Sequence, residues 1–235
     1  MRIKVADLIV ELTPVYGLLK SRVAPYEYNG GREPDIVFDE ITEKYYGNFN
    51  KEYPTLTIEE CEYLCTGFYF YEKLLKFDGI MLHSSCVAKD GRAYLFSADC
   101  GTGKSTHTHL WLEHLPGAYI INDDKPALRF VNGRLLAYGS PWSGKTNESD
   151  YGGAEVAGIA FLYRGENRIA PLAPAKAIPL FYKQTNRTVY GEFTPLMLEM
   201  LDRVLTGVPL YELHCDMSRD AVMTSYNGMK PRDDK

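Results

Sequence analysis

Ala98-Asp99-Cys100-Gly101-Thr102-Gly103-Lys104-Ser105 closes on Gly-Lys-Ser, the end of the G-x-x-x-x-G-K-[ST] run, with alanine in its first position. Such a run wraps backbone N–H groups around phosphate oxygens. Gly101 and Gly103 allow the backbone to approach without an intervening side chain. Lys104 would meet the outer phosphates, and the Ser105 hydroxyl, at a helix start, could be offered to magnesium. Residues Cys100, Gly101, Thr102, Gly103, Lys104, Ser105 and Thr106 are therefore the candidate nucleotide-binding set. A bare glycine turn before a helix would need neither the lysine nor the second small residue.

Downstream, Ile120-Ile121-Asn122-Asp123-Asp124-Lys125 reads as an apolar strand ending in two carboxylates. A carboxylate placed so beside a phosphate loop can hold magnesium, and its neighbour can take a proton from an attacking hydroxyl. Which of Asp123 and Asp124 does which is open; Asp124 is the preferred ligand and Asp123 the preferred base. Tyr138-Gly139-Ser140-Pro141-Trp142-Ser143-Gly144-Lys145-Thr146-Asn147 is a second glycine-bearing stretch. Trp142, Ser143 and Lys145 would there meet substrate or close over phosphates, unless the tryptophan simply packs a structural loop. Arg164 and Arg187, at the ends of a strand and a helix, are candidate phosphate clamps or solvated charges. His107, His109 and His114 have no zinc-type spacing to cysteines or carboxylates.

Three stretches, MLHSSCV, SADCGTGKSTHT and IINDDKPALR, resemble in order and spacing the kinase core of HPr kinase/phosphorylase and of the ATP-dependent phosphoenolpyruvate carboxykinases. The resemblance covers roughly residues 80 to 131. It implies a P-loop core of that type, ATP and Mg²⁺ as cofactors, a homo-oligomer, and an active-site role for His83, which in the carboxykinases ligates a second metal. By the same resemblance Lys104 and Ser105 are the phosphate lysine and magnesium hydroxyl, and Asp123 and Asp124 supply metal contact and general base. The PWSGK stretch is similar to stretches in HPr-kinase-like bacterial proteins. The implied activity is transfer of the γ-phosphate of ATP to a hydroxyl of a small molecule or of a protein serine. A non-catalytic nucleotide-sensing module is the alternative. Carboxykinase-type lyase chemistry is less favoured, because it needs a longer chain with a separate substrate domain.

The elements that must position these residues read as mixed α/β with several hairpins. Residues 1–56 form a strand-rich N-terminal appendage, 57–229 the core and 230–235 a polar tail. Thr57-Ile58-Glu59-Glu60 is a capping box, opening a helix through Leu75 that Gly79 closes. Ile80–Ala88 is a strand, Asp90-Gly91 and Asn132-Gly133 are hairpin turns, and Ser105–Leu115 is a helix. Ala118–Asn122 is apolar enough for a strand buried on both faces. Strands follow at 127–131, 134–138, 156–163 and 210–215, with helices at 174–184, 195–206 (Thr194 as N-cap) and 218–227.

The chain has 235 residues, 45% of them hydrophobic, and a net charge of −5. That balance excludes a general nucleic-acid binder, which needs a basic face. No run approaches the ~18 apolar residues of a membrane span. The five cysteines are scattered, with Cys61 and Cys65 reading as core residues of one helix; such usage points to a reducing, cytoplasmic setting.

Overall fold

The computed structural model describes residues 1–185 and 191–231. Its architecture is mixed α/β, built on a curled mixed sheet. In chain order the strands are β1 (Arg2–Val5), β2 (Leu8–Glu11), β3 (Ile36–Val37), β4 (Gly79–Met81), β5 (Ser84–Lys89), β6 (Arg92–Ser97), β7 (Tyr119–Asn122), β8 (Ala127–Val131), β9 (Arg134–Tyr138), β10 (Gly153–Arg164), β11 (Arg168–Pro171) and β12 (Leu210–Cys215). The helices are α1 (Gly17–Val23), α2 (Glu43–Glu52), α3 (Ile58–Leu74), α4 (Lys104–His114), α5 (Pro174–Gln184), α6 (Phe193–Gly207) and α7 (Arg219–Met229).

The large sheet runs β4-β8-β9-β10-β6-β5-β7, and β12 with β11 branches from β10. β10 runs parallel to both β6 and β12 and antiparallel to β9. Along one edge its first residues pair with β9 and its later ones, from Ile159 on, with β12. β6 is thus an interior strand, which fixes the loop that leaves its end.

The two-residue turns form as the sequence predicts. Asp90-Gly91 and Asn132-Gly133 both have positive φ throughout (52° and 73°, 51° and 78°), the geometry that continues strand twist in a tight hairpin. The turn between β1 and β2 has no such signature: Ala6 and Asp7 adopt φ 51° and 60°. That costs roughly 1–2 kcal/mol per residue. It is held by tertiary contacts, Arg129 Nη1 donating to the Ala6 carbonyl at 3.0 Å and Tyr138 OH to Asp7 Oδ2 at 2.9 Å.

α3 starts with both halves of the predicted capping box formed between Thr57 and Glu60. Its end differs from expectation: a 3₁₀ turn, Leu75–Phe77, follows, and Asp78 rather than Gly79 takes the left-handed position. Likewise Glu192, not Thr194, precedes the first turn of α6. β7 packs Ile121 into one core and Ile120 against another, yet it is the last strand of the sheet, with Tyr119 exposed. Apolar runs report covered faces; they do not report whether a strand has two neighbours.

One core lies between the sheet, α5 and α6, and another lies between the sheet, α4 and α7. A third joins β1, β2 and α1 to α3, Met81, Ala127, Tyr138 and Trp142. Cys61 and Cys65 are buried beside Tyr46. Among the described residues no helix is long and apolar enough to cross a membrane.

Candidate functional site

The predicted strand over 80–88 breaks at Leu82-His83, and the break is what brings His83 into a cleft. Its backbone N–H leaves the ladder to donate to the Gln184 carbonyl at 2.7 Å, and the next N–H, of Ser84, donates to the Asp124 carbonyl at 3.0 Å. β5 then returns to β6, whose end carries the glycine loop.

That loop runs from Ala98 to Gly103 into α4. Ala98 packs its methyl in the core behind α4, and its carbonyl accepts a hydrogen bond from Lys104 Nζ at 2.9 Å. Gly101 and Gly103 have φ +77° and +124°, which a side chain would strain. The first-turn N–H groups of α4 have no intrahelical acceptor and line the cleft mouth with the positive end of the helix. Lys104 is 8% exposed. Burial pulls its pKa below the usual lysine value, against the attraction of Asp124, Cys100, Asp123 and Asp99.

Asn122 is fully buried and shapes the acidic turn. Its Oδ1 accepts from the N–H groups of Asp124 and Lys125 at 3.0 and 2.7 Å. Asp123 sits in a hydroxyl cage, with Ser85 Oγ on Oδ1 at 2.6 Å and Thr146 Oγ1 on Oδ2 at 3.1 Å. Asp124 faces nitrogen groups instead: His83 Nε2 lies 3.1 Å from its Oδ1, and Lys125 Nζ pairs with its Oδ2. Burial alone would raise the pKa of Asp124, but His83 and Lys125 outweigh it and hold the group at about 2. Two adjacent carboxylates are thereby given different chemistry.

The loop after β9 closes one side of the cleft. Trp142 is its anchor and is buried away from the cleft. Its indole stacks on Phe70 at 4.8 Å and donates to Thr66 Oγ1 at 3.2 Å, and the bare Cα of Gly67 makes room for it. A substrate-facing Trp142 is not what the fold provides; the packed-tryptophan alternative is. Ser143, Gly144, Lys145 and Thr146 do line the cleft. Arg22 donates to Ser143 Oγ at 3.4 Å and the Gly144 carbonyl at 2.9 Å, while Tyr63 OH accepts from the Gly144 N–H at 3.0 Å.

Arg164 also borders the cleft, but its guanidinium is turned to the loop backbone. It donates to the Thr102 carbonyl at 3.1 Å and the Gly101 carbonyl at 2.6 Å. In this position it braces the loop through two of its five N–H donors. Arg187 lies outside the described residues. His107 is buried in contact with Ser225 and Trp111. His109 bridges the Ser105 carbonyl, at 2.6 Å, to Glu148, at 3.0 Å.

The cleft has a volume of about 1260 Å³ and is lined by His83, the whole of Cys100–His107, Asp123, Asp124, the 143–146 loop and Arg164. Its far wall comes from the N-terminal region and α3: Leu18, Arg22, Leu56, Tyr63 and Leu64. The participation of Arg22, Tyr63, Ser85, Asp99 and Gln184 was not foreseen from the sequence. For Arg22, Tyr63 and Gln184 the partners lie far off in the chain and no local pattern marks them; Ser85, Asp99 and Thr146 lie inside quoted stretches, which was the signal available.

For magnesium the donor set is suitable. Asp123, Asp124 and the Ser105 hydroxyl are hard oxygen donors, and this ion takes one or two carboxylates with phosphate and water completing its shell. Among the described residues no trio of His, Cys, Asp or Glu forms a metal cage.

No family model matches the chain, and no curated protein matches it. Among solved structures it is similar to the HPr(Ser) kinase/phosphatase from Coxiella burnetii, at 10% sequence identity and a TM-score of 0.36, over 62% of this chain and 91% of that one. The likeness is a distant structural one.

Proposed function

We propose that the cleft binds an ATP–magnesium complex and transfers its terminal phosphoryl group to a hydroxyl. The observation that carries this reading is the convergence, in one cleft, of the glycine loop with its buried Lys104 and the Asp123–Asp124 pair. Phosphoryl transfer needs little covalent help from a protein; positioning and charge neutralisation supply most of the rate.

Each residue then has a role. Backbone N–H groups of the loop and of the α4 N-terminus hold the phosphate oxygens. Lys104 supplies a desolvated positive charge to the outer phosphates. Ser105 and Asp124 would hold magnesium, which when bound neutralises charge on the phosphate oxygens. Asp123, caged by two hydroxyls, takes the acceptor's proton. The acceptor oxygen forms a bond to phosphorus as the bond to the bridging oxygen breaks, its electron pair leaving with the nucleoside diphosphate. The acceptor occupies the far lobe beneath Leu18, Leu56, Tyr63 and Leu64, opposite the loop.

Calorimetry with ATP and magnesium tests binding, with labelled ATP and separate pools of metabolites and serine-containing proteins testing transfer. The expected result is nucleotide binding and label on one pool. Absence of nucleotide binding would overturn the reading; binding without transfer to either pool would favour the sensing module.

A further inference from the structure

Gly144 is held by two side chains from outside the sheet. Its carbonyl accepts from Arg22 Nη2 at 2.9 Å, and its N–H donates to Tyr63 OH at 3.0 Å. Arg22 lies on α1 and Tyr63 on α3. The other terminal nitrogen of Arg22 reaches Ser143 Oγ at 3.4 Å. The guanidinium carbon stands 5.6 Å from the centre of the Tyr63 ring, within cation–π range. Glu62, fully buried beside Tyr63, fastens the chain just before α1, its two oxygens accepting from the N–H groups of Val15 and Tyr16 at 2.6 and 3.0 Å. Consecutive residues of α3 thus tie down both α1 and the loop that α1 grips.

On its other side the same loop reaches both aspartates. Gly144 packs its bare Cα on Asp124, where a built Cβ would stand 3.0 Å from Oδ2. Two residues on, Thr146 Oγ1 donates to Asp123 Oδ2 at 3.1 Å, and the Glu148 carbonyl accepts from the Asp123 N–H at 3.1 Å. A glycine backbone has more freedom to lose than any other, so Gly144 does not hold this place by itself. Side-chain bonds to both its N–H and its carbonyl remove that freedom.

We propose that Arg22 and Tyr63 are positioning residues that clamp the 143–146 loop onto the acidic pair, so that the N-terminal region takes part in the site. The inference deepens the phosphoryl-transfer reading, on which only its magnesium consequence rests. Arginine suits the task because its planar fork bonds two adjacent groups at once, here the Ser143 hydroxyl and the Gly144 carbonyl. The clamp's hydrogen bonds go to Ser143 and Gly144, not to the glycine loop. Loosening it therefore disturbs the carboxylates and leaves the phosphate cradle in place.

The test pairs amide hydrogen exchange of the nucleotide-free full chain, read by ¹⁵N NMR, with calorimetry of ATP in magnesium and in EDTA. In Arg22→Gln the Gly144 amide should exchange about tenfold faster, the worth of a hydrogen bond to a charged group, although its own acceptor Tyr63 is intact. The β6 amides should stay as in the wild type. Tyr63→Phe keeps the packed ring and should give the same pattern. In both variants the gain in ATP affinity on adding magnesium should shrink about tenfold or more, the usual effect of removing a group that supports a metal ligand. Affinity in EDTA should not change. Unchanged Gly144 exchange in both variants, or a full magnesium gain despite faster exchange, would overturn the proposal. Faster exchange in β6 together with weaker binding in EDTA would mark both side chains as structural only and overturn it as well. A wild type that binds no ATP would sink the phosphoryl-transfer reading alone, and the exchange rates would still decide whether the clamp holds the loop.

Discussion

Gly144 lies against Asp124 so closely that a Cβ built on the glycine would stand 2.7 Å from the aspartate Cβ and 2.9 Å from its Cγ. The glycine also sits at φ +74°. Gly144→Ala therefore adds backbone strain of roughly 1–2 kcal/mol and pushes the Asp124 carboxylate off His83. Thermal unfolding should show a loss of that order, and phosphoryl transfer should fall further than stability does. A fully active alanine variant would mean the loop does not set the position of Asp124.

Lys104→Ala should weaken binding of magnesium-ATP by about 2 kcal/mol or more, the worth of a charge-assisted hydrogen bond. The neighbouring cation Arg164 is held on the Gly101 and Thr102 carbonyls. Calorimetry giving wild-type affinity would remove the lysine from the phosphate site.

Asn substitution should separate the two aspartates. Asp123→Asn keeps nucleotide affinity, while turnover falls ~100-fold or more because the amide cannot accept the proton. Asp124→Asn should instead lose magnesium-dependent affinity. The reverse pattern would exchange their roles, and it is read by measuring binding and transfer on both variants.

Acid should destabilise the protein in two windows. Burial lowers the His107 pKa from 6.5 to about 4. The unfolded chain thus binds a proton the folded one does not, and stability drops by about 3 kcal/mol as pH falls from 6.5 to 4. Asp124, at about 2 against 3.8 for an ordinary aspartate, contributes about 2 kcal/mol above pH 4. That contribution is lost as pH falls from 3.8 to 2. Urea unfolding as a function of pH reads both steps. His107→Gln should remove the first and Asp124→Asn the second.

Arg164→Ala should lower nucleotide affinity about tenfold, roughly 1.4 kcal/mol, by loosening the loop carbonyls rather than by removing a phosphate contact. Arg164→Lys, which offers no planar pair of donors, should rescue little. A variant in which lysine restores full affinity would return the residue to a direct phosphate role.

The parts legible in the sequence were those encoded locally. The Thr57–Glu60 capping box, the Asp90-Gly91 and Asn132-Gly133 turns and the strand–loop–helix unit around Lys104 each depend on residues a few positions apart. The Ala6-Asp7 turn was not legible, because Arg129 and Tyr138 enforce it from across the fold. Nor was the break at His83, which exists because Gln184 and Asp124 offer acceptors its backbone cannot find in the sheet. The surroundings of Trp142 and Arg164 were not legible either: Phe70 and Thr66 hold the indole, and two loop carbonyls hold part of the guanidinium.

Among the described strands β10 alone borders both branches of the large sheet, with β6 alongside it from Glu155 to Phe161. Each of its amides is therefore released only when the neighbour that accepts from it, β6 on one side or β9 or β12 on the other, separates. Ile159 to Phe161, held between β6 and β12, belong to the last unit to open. The glycine loop thus hangs from β6, a strand paired on both sides. Its own motions are confined to the few residues between Ser97 and Lys104, and the floor beneath them stays fixed while ligands come and go.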